Sequence, residues 1–276
     1  MKIETFIKRH PLACYFGAAF IISWGSGLVL LVPKLVRGEA IQAAEELFLF
    51  PVLVLGVGLT AMILTGIVEG RSGVRNLFSR MGRWHIGARW YAALLIPPVL
   101  ILLVLLSFSL WVAPVFAPNF FPLGILFGLF PGFVEEIGWT GYAFPKMQSR
   151  YDALPAGVIL GVLWGLWHLP VVDYLGAAAP HGAYWLPFFL TFIVLVTALR
   201  VLIVWVYSNT QSLLLAQLMH ASSTAFLVIL SPVHTSPAQE TLWYAVYAGI
   251  LWIAIAIVSI RYGKSLTRGL PRDKAT

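Results

Sequence analysis

Glu135 and Glu136 stand side by side in a run, residues 120–145, that holds no other charged residue and is long enough to cross a bilayer. Two adjacent carboxylates in hydrocarbon cost about 2.5–3.5 kcal/mol each on insertion scales, so such a pair needs compensation and marks a candidate functional site. Two of the six histidines also fall inside apolar runs, His168 in WGLWHLP and His220 in LLLAQLMHASSTAF, whereas His10, His85, His181 and His234 lie in or beside loops. Two Glu and two His suit hydrolysis. A buried carboxylate can act as general base. Glu and His can hold and activate a water directly, or ligate a divalent metal that lowers the pKa of its water to about 7. A second His with a hydroxyl partner can donate hydrogen bonds to an oxyanion. Thr140 follows Glu136 by four residues and Thr224 follows His220 by four, so each pair shares a helix face. Ser222 and Ser223 add hydroxyls nearby, and Trp139, Trp164 and Trp167 read as packing or interface residues. There is no HExxH, no Gly-x-Ser-x-Gly and no buried Asp with a Ser, which removes zincin and serine-hydrolase readings. A proton carrier of a transporter is the rival use of an intramembrane Glu.

The elements that must carry these groups are membrane helices. Of 276 residues 60% are hydrophobic and only 11% charged, and mean hydropathy is +0.88. Soluble domains carry about 25% charge. The expected fold is all-α, a polytopic transmembrane bundle forming one integral-membrane domain over 1–276. Runs of about 20 apolar residues suit a core of about 30 Å, and eight occur: about 11–32, 47–68, 90–112, 121–147, 154–171, 185–207, 211–230 and 241–260. The first is read as a retained helix rather than a signal peptide. Pro131 and glycines 124, 128, 132, 138 and 141 predict a kinked or irregular fourth span.

Eight spans place both termini on one side. With that side cytoplasmic, the inner segments hold Lys2, Lys8, Arg9, the five arginines of 71–89, Lys146, Arg150, Arg261, Lys264, Arg268, Arg272 and Lys274, leaving only Lys34 and Arg37 outside. Arg200 lies within span six, roughly 10 Å from its inner end, from where it can snorkel to the interface, and a structural role is expected for it. The stretch 71–89 interleaves Arg with Leu77, Phe78, Met81 and Trp84, an interfacial composition. The basic residues flank apolar spans instead of lining a soluble face, which excludes a nucleic-acid binder. Cys14, the single cysteine, excludes an internal disulfide. Counting rise from the inner span ends puts Glu135 at roughly 20 Å, His168 at roughly 21 Å and His220 at roughly 14 Å, compatible with one polar cavity.

Three segments together resemble the CPBP family of intramembrane proteases, the glutamate-type CAAX prenyl endopeptidases and bacterial Abi proteins. Its Glu-Glu-x-x-x-Arg motif is matched by Glu135-Glu136-Ile-Gly-Trp-Thr140, its aromatic residue three positions before His is approached by Trp164-Gly-Leu-Trp-His168, where Trp164 stands four before, and its His-x-x-x-Asn or apolar residue by His220-Ala-Ser-Ser-Thr224. Thr140 replaces the motif arginine, so Arg150 or Arg200 would have to answer the pair's charge. Thr224 replaces Asn. The resemblance, over 132 to about 226, implies that Glu135 activates water with His168, that Glu136 orients the site, and that His220 with Thr224 holds the oxyanion. It implies a catalytic core of about 121–230. A zinc-like divalent metal on Glu135, His168 and His220 and a metal-free glutamate mechanism both stay open. The expected function is an endopeptidase acting on a prenylated, peptide or membrane-protein substrate in a bacterial plasma membrane. The alternatives are a silent membrane partner, such as a bacteriocin immunity or maturation protein, and a proton-coupled transporter.

Overall fold

A computed structural model describes residues 3–37, 43–172 and 181–267 of the chain; Lys2, Arg268, Arg272 and Lys274 of the basic clusters lie outside the described residues. The first half supplies α1 (Ile3–Arg9), α2 (Pro11–Arg37), α3 (Ala43–Met81), α4 (Ala88–Ala93), α5 (Ile96–Trp111), α6 (Gly124–Gly138) and α7 (Phe144–Met147). The second half supplies α8 (Ala153–Trp167), α9 (Leu169–Val172), α10 (Trp185–Thr210), α11 (Leu213–Leu230) and α12 (Pro237–Tyr262). No strand occurs among the described residues.

Each of the eight apolar runs folds as helix, but six helical stretches are long and apolar enough to cross a membrane: 11–34, 50–81, 88–111, 182–210, 213–230 and 237–262. The chain is an integral membrane protein. The other two runs are the ones that hold the glutamates and His168. At about 1.5 Å per residue, the 15 residues of α8 reach less than the thickness of a hydrocarbon core. The run 124–147 is interrupted. Its irregularity falls beyond Pro131, which stays inside α6, at a π-helical turn over Trp139–Ala143. Such turns are frequent at functional sites.

Small residues set the closest helix contact. Gly124, Gly128 and Gly132 repeat every four residues, so they form one stripe on α6. A Cβ on Gly128 would come within 2.3 Å of the Ala221 carbonyl oxygen, and one on Gly132 within 2.7 Å of the Ala221 nitrogen. Backbone therefore lies on backbone where α6 crosses α11, the close approach small residues permit between membrane helices. Gly161 does the same for α8 on α10, where a Cβ would meet the Thr197 Cα at 2.7 Å. Around this centre, α3 packs on α6 and α2, and α12 packs on α10. The outward faces are apolar, with Ile253, Ile257 and Ile260 exposed along α12 and Leu103, Leu106 and Leu110 along α5.

The third helix is two pieces. Gly70 has φ 67° and ψ −160°, a conformation open to glycine and costly for other residues. It ends the apolar part of α3 two residues after the expected span end, and the basic stretch 71–81 follows as a separate amphipathic helix. Glu69, just before the break, pairs with Lys146.

Candidate active site

The two glutamates leave α6 about 100° apart and enter different surroundings. Glu136 is fully buried and wholly engaged. Its Oε2 accepts from Arg200 Nη1 at 2.7 Å and from the Thr140 hydroxyl, and its Oε1 accepts from His220 Nδ1 at 2.8 Å. Arg200 Nη1 also reaches Thr140 Oγ1 at 3.3 Å, and the guanidinium lies over the Trp164 ring, 4.3 Å from its centroid. Arg200 is thus buried at the centre instead of snorkelling to the interface. The reason is electrostatic. In a low-dielectric interior the attraction of a buried carboxylate is far stronger than at a wet surface, and apart from Lys146 at the end of the fourth run, Arg200 is the only Lys or Arg within an apolar run. With Thr140 it occupies the place of the arginine that the Glu-Glu-x-x-x-Arg pattern puts on the glutamates' own helix. Arg150 is exposed and plays no part in this network.

Glu135 is buried too, but only one of its oxygens is engaged. Oε2 accepts from two indoles, Trp139 Nε1 at 3.0 Å and Trp164 Nε1 at 2.9 Å. The π-helical turn begins at Trp139, so the same irregularity that carries Thr140 to Glu136 carries Trp139 to Glu135. Both tryptophans are packed, as expected, but each also donates a hydrogen bond that sequence reading overlooked. The spacing held a signal: Trp139 follows Glu135 by four, and Trp164 precedes His168 by four, so each shares its partner's helix face. Of the two arginines offered for the pair's charge, Arg200 is the one that reaches it, since a deep pair of acids calls for a deep cation.

His168 caps the C-terminal end of α8, where its Nδ1 lies 2.7 Å from the Trp164 carbonyl oxygen. A carbonyl only accepts, so Nδ1 carries the proton and Nε2 keeps its lone pair. His220 likewise spends Nδ1 on Glu136, and its ring stands edge-on to Trp164 at 4.9 Å. Among the described residues, Glu135 Oε1, His168 Nε2 and His220 Nε2 have no hydrogen-bond partner.

Glu135, His168, His220 and Thr224 line one cavity of about 60 Å³, closed on its apolar side by Phe50, Leu53, Phe127, Pro131 and Trp167. That volume holds a few waters at most. Glu136 does not line it and lies behind His220. The serines are committed elsewhere, Ser223 to the His220 carbonyl and Ser222 to that of Leu94. Among the described residues, no group of three or more His, Cys, Asp or Glu stands together as a metal-holding set.

Comparison with known families matches residues 117–226 to the model described as Type II CAAX prenyl endopeptidase Rce1-like. The core of the chain is similar to the CPBP family of intramembrane proteases. Every polar group just described on α6, α8, α10 and α11 falls inside the matched region. The chain is 30% identical over 189 residues to CAAX prenyl protease 2 of Methanococcus maripaludis, an alignment that covers 63% of this chain and 65% of that protein. The chain thus aligns with just under two thirds of the length of this curated relative.

Proposed function

We propose that this protein is an intramembrane endopeptidase that hydrolyses a peptide bond of a prenylated, CAAX-type or related membrane-associated substrate, using a glutamate-activated water. One observation carries the reading: four side chains from α6, the end of α8 and α11 line a single water-sized cavity, and three of them present an uncommitted polar atom to it. The network behind the cavity supplies what compensates the acids.

In this mechanism a water lies between Glu135 Oε1 and His168 Nε2, both hydrogen-bond acceptors. Its oxygen attacks the scissile carbonyl carbon while Glu135 takes the proton. The oxyanion of the tetrahedral intermediate is met by His220 Nε2–H and the Thr224 hydroxyl, with the imidazolium supported through Nδ1 by Glu136. Glu135 then passes its proton to the leaving amine as the C–N bond breaks. Glu136, Thr140 and Arg200 position His220 and touch no substrate. The two indoles aim Glu135 without taking its proton, because an indole N–H only donates. No step runs through a metal.

Both termini and the 71–89 arginines face the cytoplasm of the plasma membrane in this reading, on the strength of the charge asymmetry. The test is reconstitution: purified protein in proteoliposomes with a farnesylated CAAX peptide, and mass spectrometry of the released fragment. Release of the terminal tripeptide is expected from the wild type, and no release from Glu135→Gln. Equal release by the two proteins would sink the mechanism. A chelator should leave turnover unchanged, and loss restored by zinc would overturn the metal-free form.

A further inference from the structure

The helical piece after Gly70 carries two opposed stripes. Val74, Leu77, Phe78 and Met81 recur at helical spacing on one side, with Leu77 buried in the core. Ser72, Arg75, Asn76, Ser79, Arg80 and Arg83 recur on the other and line a surface groove of about 390 Å³. No acidic residue lines it. All six lining side chains can donate hydrogen bonds, and three are guanidinium groups, whose planar forks match phosphate oxygens.

The groove is built on fixed parts. Arg80 donates to the Tyr207 hydroxyl at 2.7 Å and to the Gly141 carbonyl at 2.9 Å, so its charge is held in place by α10 and the π-helical turn. The backbone of Arg83 is held by the Ser212 hydroxyl, which caps α11 and donates to the Arg83 carbonyl. Arg75 and Arg83, by contrast, spend no guanidinium nitrogen on any described residue. Three cations around one hollow without a counter-ion repel one another, and an anion in the hollow relieves that repulsion.

The surroundings say what kind of anion. The groove starts where the apolar part of α3 stops, and Phe78 and Trp84, 50% and 60% exposed, flank the arginines. Exposed aromatics among arginines at the end of an apolar span belong at the headgroup level of a bilayer. We infer that the groove of Arg75, Arg80 and Arg83 is a binding site for the phosphate of an anionic lipid headgroup. A zwitterionic choline headgroup is disfavoured, because its ammonium would meet arginines and find no carboxylate.

The test does not involve peptide cleavage, so it can fail without touching the proposed activity. Full-length protein in neutral detergent is titrated with dioctanoyl phosphatidylglycerol, dioctanoyl phosphatidylcholine or inorganic phosphate, with bound lipid read by native mass spectrometry. The wild type is expected to bind phosphatidylglycerol at least about tenfold tighter than phosphatidylcholine, and less tightly as salt rises. Arg75→Gln with Arg83→Gln should lose roughly 30-fold for phosphatidylglycerol, from two surface cations, and nothing for phosphatidylcholine. Neither side chain contacts the rest of the fold by hydrogen bond or ion pair, and an unchanged thermal transition verifies that the variant folds. Equal binding of the two lipids, salt-independent binding, or an unaffected double variant would overturn the assignment. Inorganic phosphate binding as tightly as phosphatidylglycerol would assign the groove to free phosphate and overturn the lipid reading.

Discussion

On one side of α6, Glu136 faces a guanidinium, a hydroxyl and an imidazole N–H; about 100° round the same helix, Glu135 faces two indole N–H groups and a cavity. The first carboxylate is paired with charge and has no oxygen to spare. The second is oriented by neutral donors and keeps one oxygen open. Saturation by a cation fixes a carboxylate as structure, whereas neutral donors can aim one and leave its basicity available for chemistry. Identical neighbours in sequence thereby take opposite roles.

This contrast can be broken from either side. The largest effect should come from Glu135→Gln, which keeps an oxygen to accept from Trp139 and Trp164 but removes the base. Turnover of a prenylated peptide should fall by about 10²–10⁴-fold with the thermal transition little changed. Arg200→Met comes next, and it should act first on stability. Removing one partner of a buried ion pair costs about 3–5 kcal/mol, measurable by unfolding in mixed micelles. Combining it with Glu136→Gln should recover part of that loss, because no buried charge is left alone. A full additive loss would mean that the pair is not coupled.

Gly132→Ala should cost about 1–3 kcal/mol by overpacking, since its Cβ would press on the Ala221 backbone; unfolding of the purified variant measures it. Trp164→Phe removes one indole donor to Glu135 while keeping a ring beside His220. A hydrogen bond to a charged group is worth about 1.5–3 kcal/mol, so kcat should drop by about ten- to a hundredfold with KM nearly constant. A fall in stability alone would make the indole a packing group. Thr224→Val is the mildest, a few-fold in kcat, because His220 still faces the oxyanion.

Much of the fold was legible because hydrocarbon imposes a simple rule, that apolar runs of bilayer length become helices. The end of the second run near residue 68 coincides with the turn at Gly70. The break in the fourth run was legible as irregularity but not in its place. Pro131 drew attention, yet a proline can be accommodated in a membrane helix by its neighbours, and the chain departs from α geometry eight residues later. The cavity lining of Glu135, His168, His220 and Thr224 was legible because ionisable and hydroxyl side chains are so scarce in apolar runs that their depths could be compared. Arg200 was legible as one of two candidate counter-ions, but one-dimensional spacing could not choose between it and Arg150, nor weigh its distance to the interface against its distance to Glu136. Trp139 and Trp164 were read only as bulk, since an indole counts as apolar until a carboxylate is placed beside its nitrogen.

The glycine stripe of α6 has a consequence for what can vary. Where main chain rests directly on main chain, the separation between the acid-bearing and imidazole-bearing helices is set by atoms that every amino acid shares. Outer helices can lengthen, swap side chains or change in number without altering the dimensions of the polar cavity. A chain carrying this seam is free to remodel its lipid-facing surface for new membranes while the polar centre keeps its measure.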